Sequence, residues 1–213
     1  MPDTFIADIS NYQNPNLAAY QAAGYEVLIN EVSWGLATTV PAGRIAAIRA
    51  QNFALVGWYM GLVANQPIAA QVAVFAAAIR TLELNEWIII DWESTSGIGL
   101  PSPAQRDECR ALLAQEFDRP VMVYGGASDL RSAPPGGEVW AASYETSEPD
   151  IPHLMWQFSD GTYVSPPYSP INFPGIGFCD ASVFHGTVAQ LQMALGLGAP
   201  VSARPDLWSL ALV

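Results

Sequence analysis

The chain has 213 residues, 51% of them apolar and 13% charged, which suits one compact domain with a substantial core. Its formal charge is −12 and it has no lysine, so its surface repels nucleic acid and that partner class is set aside. The longest apolar run, near Ala69 to Ile79, is interrupted by Gln71 and is too short to span a bilayer, and the opening MPDTFIADIS has neither the basic nor the apolar region of a secretory signal.

Strand and helix patterns alternate through the first two thirds. Thr4 to Ile9 predicts a strand. Asn14 to Ala23 predicts a helix capped by Asn14 with Pro15 in its first turn, ended by Gly24. Tyr25 to Val32 predicts a second strand, Pro41 to Gln51 a helix, and Phe53 to Tyr59 a third strand. A long alanine-rich helix follows over Pro67 to Leu84, then a strand over Glu86 to Asp91. Ser102 caps a helix that runs from Pro103 to Phe117, and Pro120 to Tyr124 predicts the fifth strand.

Beyond that point the rhythm changes. Glu138 to Ala142, His153 to Phe158 and Gly177 to Phe184 predict short strands joined by loops rich in Pro, Gly and Ser. Serial βα units argue for an α/β fold with a parallel sheet. Eight candidate strands favour closure into an irregular, TIM-like (β/α) barrel whose last third is poor in helices. Residues 188–213 predict a short helix and then a tail or linker.

Cys109 and Cys179 are far apart in sequence; two buried thiols are expected, with a single disulfide left open. His153 and His185 lack ligand-like spacing, and there is no HExxH, paired CxxC or glycine-rich phosphate loop, so no metal and no cofactor are expected.

The most informative segment is Trp87 to Ser94, WIIIDWES. Three successive isoleucines read as a strand buried on both faces. Asp91 and Glu93 follow where that strand runs out. Alternation puts both carboxylates on one side and Trp92 on the other, with α-carbons roughly 6 to 7 Å apart. Such a pair is also an ordinary solvated strand exit. Aimed at one spot, it is equipment for acid/base work on a glycosidic bond. If the barrel has its site at the C-terminal strand ends, Asp8, Tyr59, Asp91, Glu93 and Tyr124 all fall there.

Six short blocks then carry a resemblance. ADISNYQ (Ala7 to Gln13), IDWE (Ile90 to Glu93), VYGG (Val123 to Gly126), WAASY (Trp140 to Tyr144), WQFSDG (Trp156 to Gly161) and CDASVFHG (Cys179 to Gly186) resemble, in order, motifs of the glycoside hydrolase family 25 lysozymes, the muramidases of phage and bacteria. One departure stands out. The family has a Lys-x-Thr-Glu-Gly-like segment after its second strand; here the region reads INEVSWG, Ile29 to Gly35, with no lysine and the acidic residue earlier, at Glu31. Trp34 is placed to cover the space.

The resemblance implies a peptidoglycan glycan strand as partner and cleavage of the β-1,4 bond between N-acetylmuramic acid and N-acetylglucosamine. Glu93 is expected to be the general acid, its pKa raised by burial and by Asp91 and Asp8. Asp91 is expected to orient the substrate N-acetyl group so that its oxygen attacks the anomeric carbon, with retention. Asp180 is expected to orient Asp8 or bound sugar. Tyr59, Tyr124 and Gln157 are candidate polar contacts, and Trp140 and Trp156 candidate stacking platforms. Plain core packing is the competing reading for these aromatics. Ser10 and Gln13 are expected to hold the first loop.

The resulting expectation is a monomeric muramidase domain over residues 1–187 that neither enters membranes nor binds nucleic acid. It would be made without a signal peptide, in the cytoplasm, and act at the cell wall in phage-type host lysis. Two rivals stand beside it. One is a chitinase-like glycosidase, against which Ile89 and Trp87 occupy the places of that motif's further Asp and Gly. The other is an inactive wall-binding module of the same fold, against which Asp8, Asp91 and Glu93 are all present.

Overall fold

The computed structural model describes residues 3–144 and 147–197. In chain order the elements are β1 (Thr4–Ile9), α1 (Leu17–Ala22), β2 (Val27–Trp34), β3 (Ala37–Thr38), α2 (Arg44–Arg49), β4 (Leu55–Gly61), α3 (Ile68–Ile79), β5 (Glu86–Asp91), α4 (Pro103–Phe117), β6 (Val121–Gly126), α5 (Ala127–Ser132), β7 (Val139–Ala142), β8 (Met155–Asp160), β9 (Asn172–Phe173), β10 (Gly177–Phe178), β11 (Asp180–Phe184) and α6 (Val188–Ala194).

Strands β1, β2, β4, β5, β6, β7, β8 and β11 close into a barrel, because β1 pairs with both β2 and β11. Neighbouring strands are parallel except at β11, which runs antiparallel to β1 and β8. That reversal differs from the all-parallel expectation. The segment 161–179 forms the separate β9–β10 hairpin, whose Phe173 packs against Tyr20 and Tyr25 beside α1. The chain therefore re-enters the sheet with Asp180 opposite both Asp160 and Asp8. Gly177 to Phe184 is thus two strands, not one.

Alternation along each strand sorts the core into two layers. Ile6, Ile29, Leu55, Trp87, Ile89, Met122 and Met155 fill the barrel interior. Ala7, Leu28, Trp58, Met60, Ile88, Ile90, Val123 and Phe158 face outward against the helices. Both faces of the wall are dry, so its strands read as nearly continuous apolar runs. Helix α6 belongs to this body: Leu191, Leu195 and Leu197 join the interior cluster and seal the end of the barrel at which the parallel strands begin. Residues 198–213 of the expected tail lie outside the described residues.

Several expected boundaries move, each for a local reason. Asn16, not Asn14, caps α1, accepting from the Ala19 N–H at 3.1 Å while its own N–H donates to Gly175 O at 2.6 Å. Helix α3 stops at Ile79 because Arg80 turns to φ +65. Ser102 caps α4 as expected, in a capping box with Gln105. The short helix α5 is an element beyond those the sequence patterns predict. Connections β7–β8 and β8–β11 carry no helix among the described residues. Cys109 and Cys179 are both free and buried. No helix among the described residues is long and apolar enough to cross a membrane.

Candidate active site

The site is built at the open end of the barrel, where the parallel strands finish. Strand β5 delivers two carboxylates to it. Its outward residue Trp92 is locked from three sides: the indole N–H donates to Pro101 O at 2.7 Å, the backbone N–H donates to Tyr124 O at 2.9 Å, and the Arg106 guanidinium lies 4.5 Å from the ring centroid. Fixing Trp92 outward fixes Asp91 and Glu93 inward. Gly125 makes this possible, since a side-chain carbon there would come within 2.9 Å of Trp92 O.

Register aligns the remaining groups around that pair. Asp8 at the end of β1 lies directly across from Asp180 at the start of β11. Glu31 of β2 is level with Tyr59 of β4, and the Tyr59 hydroxyl donates to Glu31 Oε2 at 3.2 Å. Asp91 is level with Tyr124 of β6. Gln157 of β8 ties the ring together. Its Oε1 accepts from Tyr124 at 2.7 Å and also from Tyr144, and its Nε2 donates to Asp8 Oδ2 at 3.4 Å. In the first loop Ser10 N–H and hydroxyl both donate to Gln13 Oε1, at 2.7 and 3.0 Å.

The electrostatics are one-sided. Asp8 and Asp91 are each only 7% exposed, and neither Asp8 Oδ1 nor Asp91 Oδ1 has a protein partner. Among the described residues no arginine or histidine pairs with Asp8, Glu31, Asp91, Glu93 or Asp180. Burial, then the charges of Asp180, Asp91, Glu31 and Glu93, push Asp8 well above the usual carboxylate range. Burial, then Glu93, Glu31 and Asp180, do the same to Asp91. Glu93 is also raised, by burial first and then by the charge of Asp129, with the polar Tyr124 hydroxyl acting in the opposite direction. Asp180 is pushed up to about 7 by burial, Asp160 and Glu93. Several carboxyls here are therefore poised to hold a proton near neutrality, as a general acid must.

Beside Glu93 a groove of about 520 Å³ opens between α5 and the segment after β7, lined by Ser128, Arg131, Ala142, Tyr144 and Asp150 among others. It leaves room for an extended ligand against the acid.

Of the residues expected from sequence, Asp8, Tyr59, Asp91, Glu93, Tyr124, Gln157 and Asp180 come together. Gln157 is wholly buried and acts between other side chains rather than at the surface. The two tryptophans depart from expectation. Trp156 is 1% exposed on the outer face of the wall, packed against Phe158 and Tyr168, with its indole N–H donating to Ser143 O. Trp140 does face inward, but it is 1% exposed beneath Tyr124, its N–H held by Ser182 Oγ at 2.9 Å. Neither offers a ring face to a sugar. Two residues join the site beyond those expected: Tyr144, 38% exposed, reaches Gln157, and Glu31 shares the inward parity of Ile29, the one signal that could have found it.

Neither a family model nor a curated protein matches this sequence. Solved structures do. A bacterial lysozyme from Streptomyces coelicolor aligns with TM-score 0.74 at 18% identity, over 91% of this chain and 98% of its own. A family 25 glycosyl hydrolase from Bacillus anthracis aligns with TM-score 0.71 at 12% identity, over 89% and 91%. The catalytic domain of endolysin ply40, from bacteriophage P40 of Listeria monocytogenes, aligns with TM-score 0.70 at 15% identity, over 90% and 98%. The chain has the fold of the family 25 lysozymes across nearly its full described length.

Proposed function

We propose that the chain is a muramidase: a peptidoglycan hydrolase that cleaves the β-1,4 bond between N-acetylmuramic acid and N-acetylglucosamine. The observation that carries this reading is the cluster of Asp8, Asp91, Glu93 and Asp180, paired with no cation among the described residues, at the open end of a lysozyme-type barrel beside a groove.

Glu93 is the group that protonates the leaving oxygen. It is partly exposed beside the groove, and burial, with the charge of Asp129 rather than those of Asp91 and Asp8, favours its protonated form. Asp91, two residues deeper along the strand, orients the substrate N-acetyl group so that its carbonyl oxygen attacks the anomeric carbon. The attack forms a bond from that oxygen to carbon as the glycosidic bond breaks and the proton passes from Glu93 to the departing oxygen. Water then opens the cyclic intermediate, returning a proton to Glu93, with net retention. Asp8 and Asp180 face each other across the β1–β11 pairing, and Asp180, pushed up only to about 7, is the one of the pair that in its ionised form faces the positive charge developing on the sugar ring. Gln157 holds Asp8 and Tyr124 in place. The domain works as a monomer on a glycan strand, at the cell wall, and the endolysin fold match supports a part in phage-type host lysis.

The test is loss of turbidity of purified cell walls. Wild type clears them; Glu93→Gln lowers the rate by about 10³-fold or more while still sedimenting with walls. Equal clearing by both proteins, or binding without clearing by both, refutes the reading. NMR of the first product should show the retained anomer; an inverted one removes substrate assistance.

A further inference from the structure

Strand β2 does not run straight to its end. Between Glu31 and Ser33 its register with β4 slips by one residue, leaving Val32 as the extra position of a β-bulge. Glu31 is level with Tyr59, and Trp34 is level with Gly61, two steps along β4. In an unbroken strand positions 31 and 34 would face opposite ways. The bulge turns both to the inner side, roughly 6 to 7 Å apart. The Trp34 ring lies over Gly61, where a side-chain carbon would meet it at 2.1 Å, and Gly61 is in turn level with Asp91. A half-buried indole and a carboxylate thus border the site on its β2–β4 flank, away from the groove beside Glu93.

Glu31 accepts one hydrogen bond, from Tyr59, and pairs with no cation among the described residues. A carboxylate only accepts. A sugar acetamide offers it a single N–H, whereas an ammonium offers three donors and a charge. The face of an indole also attracts cations.

We infer that Glu31 and Trp34 form a subsite for a glucosamine ring of N-deacetylated wall glycan, the ammonium at Glu31 and the ring against Trp34. This rests on the muramidase reading. There the cleaved ring must keep its acetyl group, so the free amine belongs to a neighbouring ring.

The experiment compares walls de-N-acetylated at glucosamine with the same walls re-N-acetylated by acetic anhydride, scored as initial rate of reducing-end release. Titration calorimetry with glucosamine and N-acetylglucosamine oligosaccharides runs beside it and needs no turnover. Wild type should favour the deacetylated ligand by about tenfold in both readouts, less at high salt. The ratio should fall to about one in Glu31→Gln, which keeps an acceptor for Tyr59, and should shrink in Trp34→Leu. A wild-type preference for the acetylated ligand, or an unchanged ratio in Glu31→Gln, overturns the subsite. Absence of reducing ends from either wall, with the binding ratio intact, would refute the muramidase reading and leave the subsite standing.

Discussion

Strand β5 carries a buried carboxylate at each end, and the two have opposite surroundings. Glu86, at its start, is 1% exposed and fully answered: Arg49 Nε donates to it at 2.8 Å, Arg49 Nη2 at 2.9 Å, and the Glu83 N–H at 2.9 Å. Asp91, at its end, has an oxygen without a partner, and the charges that act on it are those of Glu93, Glu31 and Asp180. The same buried wall holds both. At the closed end, carboxylate and guanidinium serve stability on the outer face of the wall, while Leu191, Leu195 and Leu197 plug the interior. At the open end, uncompensated charge costs stability, and proton affinity is what the fold obtains from it.

Two substitutions break that contrast most sharply. Asp91→Asn removes a buried carboxylate that has no counter-charge. It should lower wall-clearing kcat/KM by about 10²- to 10³-fold while leaving the melting temperature unchanged or raised. Arg49→Ala strands Glu86 and should cost about 2 to 4 kcal/mol of stability, with kcat/KM of the folded fraction little changed. Thermal melts and initial rates on the same preparations check both. A site substitution that destabilises and a base substitution that inactivates would reverse the assignment of the two ends.

A smaller effect sharpens the comparison through pH. Asp180 keeps its proton up to about 7 in the folded chain but loses it near its ordinary value of 3.8 when unfolded. Between those values the folded state binds more protons, so stability falls as pH rises across the window. Asp8, Asp91 and Glu93 are displaced in the same direction and reinforce the trend. Melting temperature should therefore drop from about pH 4.5 to about pH 7.5, by about 2–4 °C for each kcal/mol lost. Asp180→Asn should flatten the slope.

Much of this architecture was legible because strand parity is a strong constraint. The boundaries of β1 and β5, the Ser102 cap, and the inward aim of Asp8, Asp91 and Glu93 all follow from short local patterns. Parity also opposed Trp156 to Gln157, but it does not say which of them faces in. Both sides of a barrel wall are dry, so composition is silent there. The sequence points to Asn14 as the cap of α1; the contact that favours Asn16 is its N–H on Gly175 O, across the fold. The bulge at Val32 has no signature among β-branched and apolar neighbours, so the turn of Trp34 toward the site was hidden. The antiparallel course of β11 depends on where the β9–β10 hairpin packs. The helix at 188–194 was visible, but its role as a plug was not, since an apolar face names no partner.

The central claim is that Glu93 delivers a proton to one particular bond. Walls digested to completion, reduced with borohydride and hydrolysed, report which sugar carried each new reducing end. Muramitol should be the new alditol with wild type, and none should form with Glu93→Gln. Glucosaminitol as the product, or muramitol from both proteins, would contradict it.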